Sequence, residues 1–217
     1  MKLTFLPDRL KVGFRFLLQP VIKFFVRLHL NPNHFTTISL LLCLIAAIYF
    51  AKGSLRTGAL LLLLGGLFDM VDGDVARASN RVTKFGALYD STLDRYAEIM
   101  IFFGIGYYFI IEQGISSTFA MIAGMAVFLG LGGSLMVSYV RARAEGLGFE
   151  CKVGLMQRPE RILLLSLGAL ISQTTLVVAL VLIAVFANMT AFQRIYHIWA
   201  ADNSDKWKRL STDISHE

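Results

Sequence analysis

Hydrophobic positions fall into six runs, at residues 35–51, 58–72, 88–111, 118–140, 162–170 and 176–192, separated by short polar or charged connections. Apolar stretches approaching the span of a bilayer favour helices, because a helix satisfies all its backbone polar groups internally. The pattern therefore predicts an all-α integral membrane protein with six transmembrane helices. Before them, residues 7–30 interleave Arg9, Lys11, Arg15, Lys23 and Arg27 with Phe14, Phe16, Leu17, Val21, Phe24, Phe25 and Val26. A charge every few residues disfavours a seventh span and fits an amphipathic helix lying among headgroups, bent at Pro20. Asn31-Pro32-Asn33 is expected to end that helix, and Thr36 and Thr37 to start the first span. The chain then divides into an amphipathic juxtamembrane helix (1–30), a six-helix transmembrane domain (31–199) and a polar cytoplasmic tail (200–217).

Composition agrees. With 56% hydrophobic residues among 217 and a mean hydropathy of +0.63, the chain is too apolar for an ordinary soluble domain. The net charge of +6 does not call for nucleic acid, since basic residues in a membrane protein set orientation and meet anionic lipid. Lys and Arg concentrate in the leading segment, around Arg77, Arg81 and Lys84, between the fourth and fifth runs, and in the tail. The turns after the third and fifth runs have none. This bias places both termini on the cytoplasmic side of a prokaryotic inner membrane, with Lys52 and Arg56 outside. The first twenty residues lack the apolar block of a cleavable signal. Cys43 and Cys151 have no framework or metal-binding spacing.

The chemistry is concentrated between residues 69 and 94. Asp69 and Asp72 lie three apart and Asp90 and Asp94 four apart, so each pair shares one helix face. The polar connection 80–86 is short enough to make the two helices antiparallel neighbours and bring the pairs together. An ionisable residue costs roughly 2.5 kcal/mol or more inside a bilayer, so gathered carboxylates require a cation, a partner or water. Without Cys or His among them, they suit a hard cation such as Mg2+ or Mn2+. Two ions are expected, because one leaves much of the negative charge uncompensated. Gly73 and Gly86 are expected to permit close backbone approach. Arg77 is placed to reach a phosphate or pair with Asp72, whereas Asp74 is read as a solvated interfacial carboxylate. Glu98 continues the Asp90–Asp94 face and is expected to pair with Arg95 or a neighbouring helix.

Asp69, Asp72, Gly73, Ala76, Arg77, Gly86, Asp90 and Asp94 occupy every position of D-x-x-D-G-x-x-A-R followed by G-x-x-x-D-x-x-x-D. The chain thereby resembles the CDP-alcohol phosphotransferases, and its six apolar runs extend the likeness over most of its length. The resemblance implies transfer of a phosphatidyl group from CDP-diacylglycerol to an alcohol, with CMP leaving. Asp69, Asp72 and Asp90 would hold one ion, and Asp69, Asp90 and Asp94 share a second. Asp94, one turn beyond Asp90, would be the catalytic base. CDP-lipid would contact Asp69, Asp72, Asp90 and Arg77, with Gly73, Ala76 and Gly86 leaving space for the nucleotide.

A basic cluster follows. Ser138, Arg141 and Arg143 close the fourth run, while Lys152, Arg158 and Arg161 bracket the start of the fifth. These stretches look like the phosphatidylinositol-phosphate synthase branch. That likeness implies an acceptor phosphate held by Ser138, Arg141, Arg143, Arg158 and Arg161, since arginine forks donate paired hydrogen bonds to phosphate. Inositol phosphate is the expected acceptor, with glycerol 3-phosphate, hence a phosphatidylglycerophosphate synthase, as the alternative. A homodimer is expected. The small residues Gly124, Gly130, Gly132, Gly133 and Ser134 suit tight helix contact, more simply within one protomer. Buried acids also mark cation transporters, but no polar relay continues through the apolar runs. A non-catalytic membrane scaffold leaves the aspartates without a purpose.

Overall fold

The computed structural model describes residues 19–214 except 21, 29 and 113–116, without side-chain detail at 112 or beyond 203. Most of the expected amphipathic helix, including residues 7–18, lies outside the described residues. Six helices follow a short leading helical segment at 22–27. They are α1 (Pro32–Ala51), α2 (Leu55–Ala78), α3 (Lys84–Tyr107), α4 (Thr118–Gly146), α5 (Arg158–Ile171) and α6 (Gln173–Ile214), with a π-helical turn Tyr108–Glu112 prolonging α3. No strand occurs among the described residues.

Nearly every helix is longer than its apolar run, because its ends are set by caps rather than by hydropathy. Helix α1 starts at Pro32, where the Asn31 side chain accepts from the Asn33 amide. This corrects the expected start: Thr36 and Thr37 lie inside the helix. Helix α2 runs beyond Asp72 to Ala78 and ends where Asn80 adopts φ 54°. The Arg81 amide then donates to the Ala76 carbonyl and the Asn80 amide to Arg77, a left-handed stop that asparagine tolerates. Thr83 caps α3 through the Gly86 amide, so residues 79–83 form the tight turn that the sequence places here. Ser172 alone separates α5 from α6. Helix α6 also continues through the expected boundary at residue 200, without a backbone break before the tail.

Among the described residues, three helical stretches are long and apolar enough to cross a membrane: Pro32–Ala51, Thr118–Gly146 and Gln173–Asn203. The sequence led us to expect six. Helix α5, with 14 residues, spans about 21 Å against a hydrocarbon core of about 30 Å. Helices α2 and α3 carry the charged residues of the site.

Packing runs around a ring in the order α1, α2, α5, α6, α4, α3 and back to α1. Phe50, Phe102, Ile105, Leu176, Leu180 and Ile183 fill it. The closest approach is between α3 and α1, where a Cβ on Gly104 would fall on the main chain of Ala47. Gly104→Ala is therefore expected to destabilise the protein by about 1–3 kcal/mol or more, because backbone cannot yield as a side chain can. Thermal unfolding in detergent checks this, and an unchanged midpoint would show that the helices separate freely. Neither Gly73 nor Gly86 provides this approach. A Cβ on Gly73 would meet the Arg77 guanidinium, and one on Gly86 the Thr83 hydroxyl. In α4, Gly130 packs on Phe102 and Gly133 on Asn188, while Gly132 is open. Ile22, with Phe25 and Val26, docks the leading segment on Phe35, Val71 and Val75 beside the acidic end of α2.

Candidate active site

The ends of α2 and α3 that meet across the 79–83 turn carry the aspartates. Asp69, Asp72 and Asp90 each present a carboxylate oxygen within 4.8 Å of the others. Asp94 adjoins them through a shared neighbour: Arg158 Nη1, from the first residue of α5, lies 2.5 Å from Asp69 Oδ2 and 2.7 Å from Asp94 Oδ1. Arg95 reaches the other Asp94 oxygen at 3.3 Å. Against four carboxylates these two arginines leave an excess of two negative charges, taking every group as ionised.

The donor set fits a divalent cation. It is all carboxylate oxygen, as hard cations prefer. Asp69 Oδ1 is buried and has no hydrogen-bond partner, a costly arrangement unless something binds there. Asp72, 5% exposed, is oriented by a residue that sequence reasoning missed. Thr36 of α1, itself 4% exposed, donates its hydroxyl to Asp72 Oδ2 at 2.7 Å. Its only trace in the sequence is a hydroxyl near the start of an apolar run, read there as a cap. Residues that orient a ligand typically change metal affinity 10- to 100-fold when removed. Thr36→Val is therefore expected to weaken Mn2+ binding by about tenfold or more with little change in unfolding temperature, and Thr36→Ser to restore it. Equal affinity in all three proteins would deny Thr36 this function. Beside it, Thr37 meets Tyr89 Oη at 3.1 Å.

Other expected contacts differ. Arg77 pairs with Asp74 at 2.6 Å rather than with Asp72, whose partner is Thr36. Asp74 is therefore not a solvated carboxylate. Among the expected acceptor residues, only Arg158 is recorded in contact with the aspartates. Arg161 is 1% exposed and held by Glu98, with Nε at 2.6 Å from Oε1 and Nη2 at 3.2 Å from Oε2, while Nη1 donates to the Met156 carbonyl. Its donors are thus engaged by Glu98 and the Met156 carbonyl, and contact with an acceptor phosphate would require this buried pair to open. It also fixes Glu98 to α5 rather than to Arg95. Arg141 pairs with Glu145 at 2.8 Å on an exposed helix end. Ser138 donates to the Ser134 carbonyl, and Arg143 is exposed.

Arg194 is a second residue missed from sequence, since the last apolar run was ended at residue 192. It is buried in α6 and donates to the carbonyls of Val153 and Val137, while Thr190 accepts from the Met156 amide. Together they tie the 147–157 connection to α6 and so set where α5 begins. Gly154, at φ 125°, lies against the Thr190 methyl.

A ring of helices carrying an oxygen-only acidic centre at one end of two of them defines a class that the comparisons make specific. The CDP-alcohol phosphatidyltransferase profile matches residues 29–201, and the chain belongs to this family. It is accordingly a membrane transferase of phospholipid biosynthesis, which displaces the transporter and scaffold alternatives. It is 38% identical over 190 residues to the archaetidylinositol phosphate synthase of Methanothermobacter thermautotrophicus, covering 83% of this chain and 92% of that one. The crystal structure of Mycobacterium tuberculosis phosphatidylinositol phosphate synthase with CDP-DAG bound matches with a TM-score of 0.74 and 29% identity, over 83% of this chain and 92% of that one. The same enzyme in complex with manganese and citrate matches with a TM-score of 0.74 and 29% identity, over 83% and 88%.

Proposed function

We propose that this protein transfers the phosphatidyl group of a CDP-linked lipid to inositol phosphate, with release of CMP, at the cytoplasmic face of the inner membrane. The observation that carries the reading is the convergence of Asp69, Asp72 and Asp90 within 4.8 Å, with Asp94 joined to them through Arg158. Relatives named for inositol phosphate lipids support the acceptor.

Asp69, Asp72 and Asp90 would hold one divalent cation, and Asp69, Asp90 and Asp94 a second, Mg2+ or Mn2+. When bound, such ions neutralise charge building on the phosphate oxygens during displacement. Asp94 accepts the proton of the acceptor hydroxyl as its oxygen forms a bond to the phosphorus carrying the lipid. The bond from that phosphorus to CMP breaks, and CMP leaves with the electron pair. Thr36 keeps Asp72 turned into the centre. Arg77, at the exposed end of α2, is available to the nucleotide phosphates if its pair with Asp74 opens. Ser138, Arg141 and Arg143 supply polar and positive groups for the acceptor side, and Arg158 stands at the acids themselves.

The test is product identity. Purified protein is given CDP-diacylglycerol with inositol phosphate, glycerol 3-phosphate, inositol or serine, and the lipid formed is identified by mass. Phosphatidylinositol phosphate is the expected product. Phosphatidylglycerophosphate as the sole product would replace the acceptor assignment while leaving the family reaction intact.

A further inference from the structure

Two arginines of α5 face two carboxylates of α3 across the helix ring. Arg158 and Arg161 are three residues apart, Asp94 and Glu98 four, so both pairs follow one helical turn and make two rungs. The main chains of α3 and α5 scarcely approach one another; the side chains bridge the gap. The rungs differ in kind. Arg161 uses its fork, with directed bonds from Nε and Nη2 to both oxygens of Glu98 and a third to the Met156 carbonyl. Arg158 instead divides the single atom Nη1 between two carboxylates, 2.5 Å from Asp69 Oδ2 and 2.7 Å from Asp94 Oδ1. Its charge sits between Asp69 and Asp94 without the two-toothed grip that Arg161 has on Glu98. A cavity of about 20 Å³, lined by Arg158, Arg161, Glu98 and Cys43, adjoins it, enough for one water.

We propose that Arg158 is an exchangeable counter-cation, occupying between Asp69 and Asp94 the place that the second divalent cation takes, so that the two ions bind in sequence. This rests on the two-ion reading above. Among the described residues, Arg158 on Asp69 Oδ2 is the arginine contact at the Asp69, Asp72 and Asp90 cluster. A first ion is held there by Asp72, Asp90 and the buried, unpartnered Oδ1 of Asp69 while Arg158 stays on Oδ2, and its charge matches the excess of two. The second ion needs Asp94, and must first expel the guanidinium. Withdrawal of Arg158 restores one negative charge and frees an arginine fork for an acceptor phosphate. The lower rung is directed and buried, so α5 stays in register while Arg158 moves. To move, Arg161 must break a fork of two bonds to Glu98 and a third to the Met156 carbonyl, whereas Arg158 holds its acids through one nitrogen, which is why this rung and not the other is the exchangeable one.

Full-length protein in nanodiscs is titrated with Mn2+, with free Mn2+ followed by electron paramagnetic resonance and spin coupling reporting a close ion pair. The wild type should show two classes of site, the second about tenfold or more weaker. Arg158→Gln should tighten the second class by about tenfold and the first by less than about threefold, on the scale of a charge-assisted contact. Arg158→Lys, which keeps the charge without the fork, should fall between. Arg95→Gln removes a charge from the other side of Asp94 and should shift the second class less than Arg158→Gln does. An equal shift would reduce the effect to field strength and overturn the exchange. So would an unchanged or weakened second class in both Arg158 variants, since the arginine would then build the site rather than compete for it. A single class in every protein, without spin coupling, would instead remove the two-ion reading on which the inference rests.

Discussion

Asp69→Asn is expected to abolish tight divalent-cation binding and to lower transferase activity by about three orders of magnitude, the effect of losing several kcal/mol of charge stabilisation. Asp69 belongs, with Asp90, to both proposed ion positions, and it is also the member of the cluster that Arg158 contacts. One of its oxygens faces Arg158, while the other is buried without a partner. The amide keeps the size of the side chain but supplies only a neutral oxygen, so both proposed ion positions lose a charge. Mn2+ titration and CMP release measured on the same preparation check this. Activity within tenfold of wild type would mean that Asp72 and Asp90 suffice, and that the convergence of three carboxylates is not what the reaction uses. Asp72→Asn should be milder, because Thr36 continues to orient the amide.

Asp94→Asn should separate binding from turnover. Asp94 lies beyond the three-carboxylate cluster and has Arg158 and Arg95 on its two oxygens, so its removal leaves the first ion's ligands in place. Removing a general base costs about 10²–10⁴ in rate. The variant should therefore bind CDP-diacylglycerol with near wild-type affinity while CMP release in the presence of acceptor falls by that factor. Loss of donor binding in parallel with turnover would make Asp94 a structural ligand and leave the base unassigned. Because the second ion position loses a ligand in this variant, calorimetric Mn2+ titration alongside the kinetics should show the weaker class of site lost and the first class kept.

Local chemistry was legible in the chain. Spacings of three and four put each aspartate pair on one face without reference to the rest of the fold, and the polar stretch between them announced a turn that Asn80 and Thr83 complete. Helix ends were less legible, because hydropathy marks where lipid could lie and caps mark where hydrogen bonding stops. The two differ by six residues at the end of α2, which runs from the expected 72 to Ala78, and by 22 at the end of α6, which runs from the expected 192 to Ile214. Thr36 reads as a helix start and Arg194 lies beyond the last apolar run, and neither shows its partner in the sequence because that partner is 36 and 41 positions away.

What the sequence by itself determined was the acidic centre, the helical class and the family, all of which depend on residues close together along the chain. Which arginine faces which acid was decided only by the tertiary structure. Arg161 and Glu98 are 63 positions apart, and no local pattern distinguishes Arg161 from Arg158 or Arg141. Only closure of the helix ring, with the 147–157 connection tied to α6 by Arg194 and Thr190, sets the start of α5. That placement locks one arginine into a buried pair and leaves the next, one turn away, among the aspartates, because charges inside such a bundle are stable only where an opposite charge lies within reach.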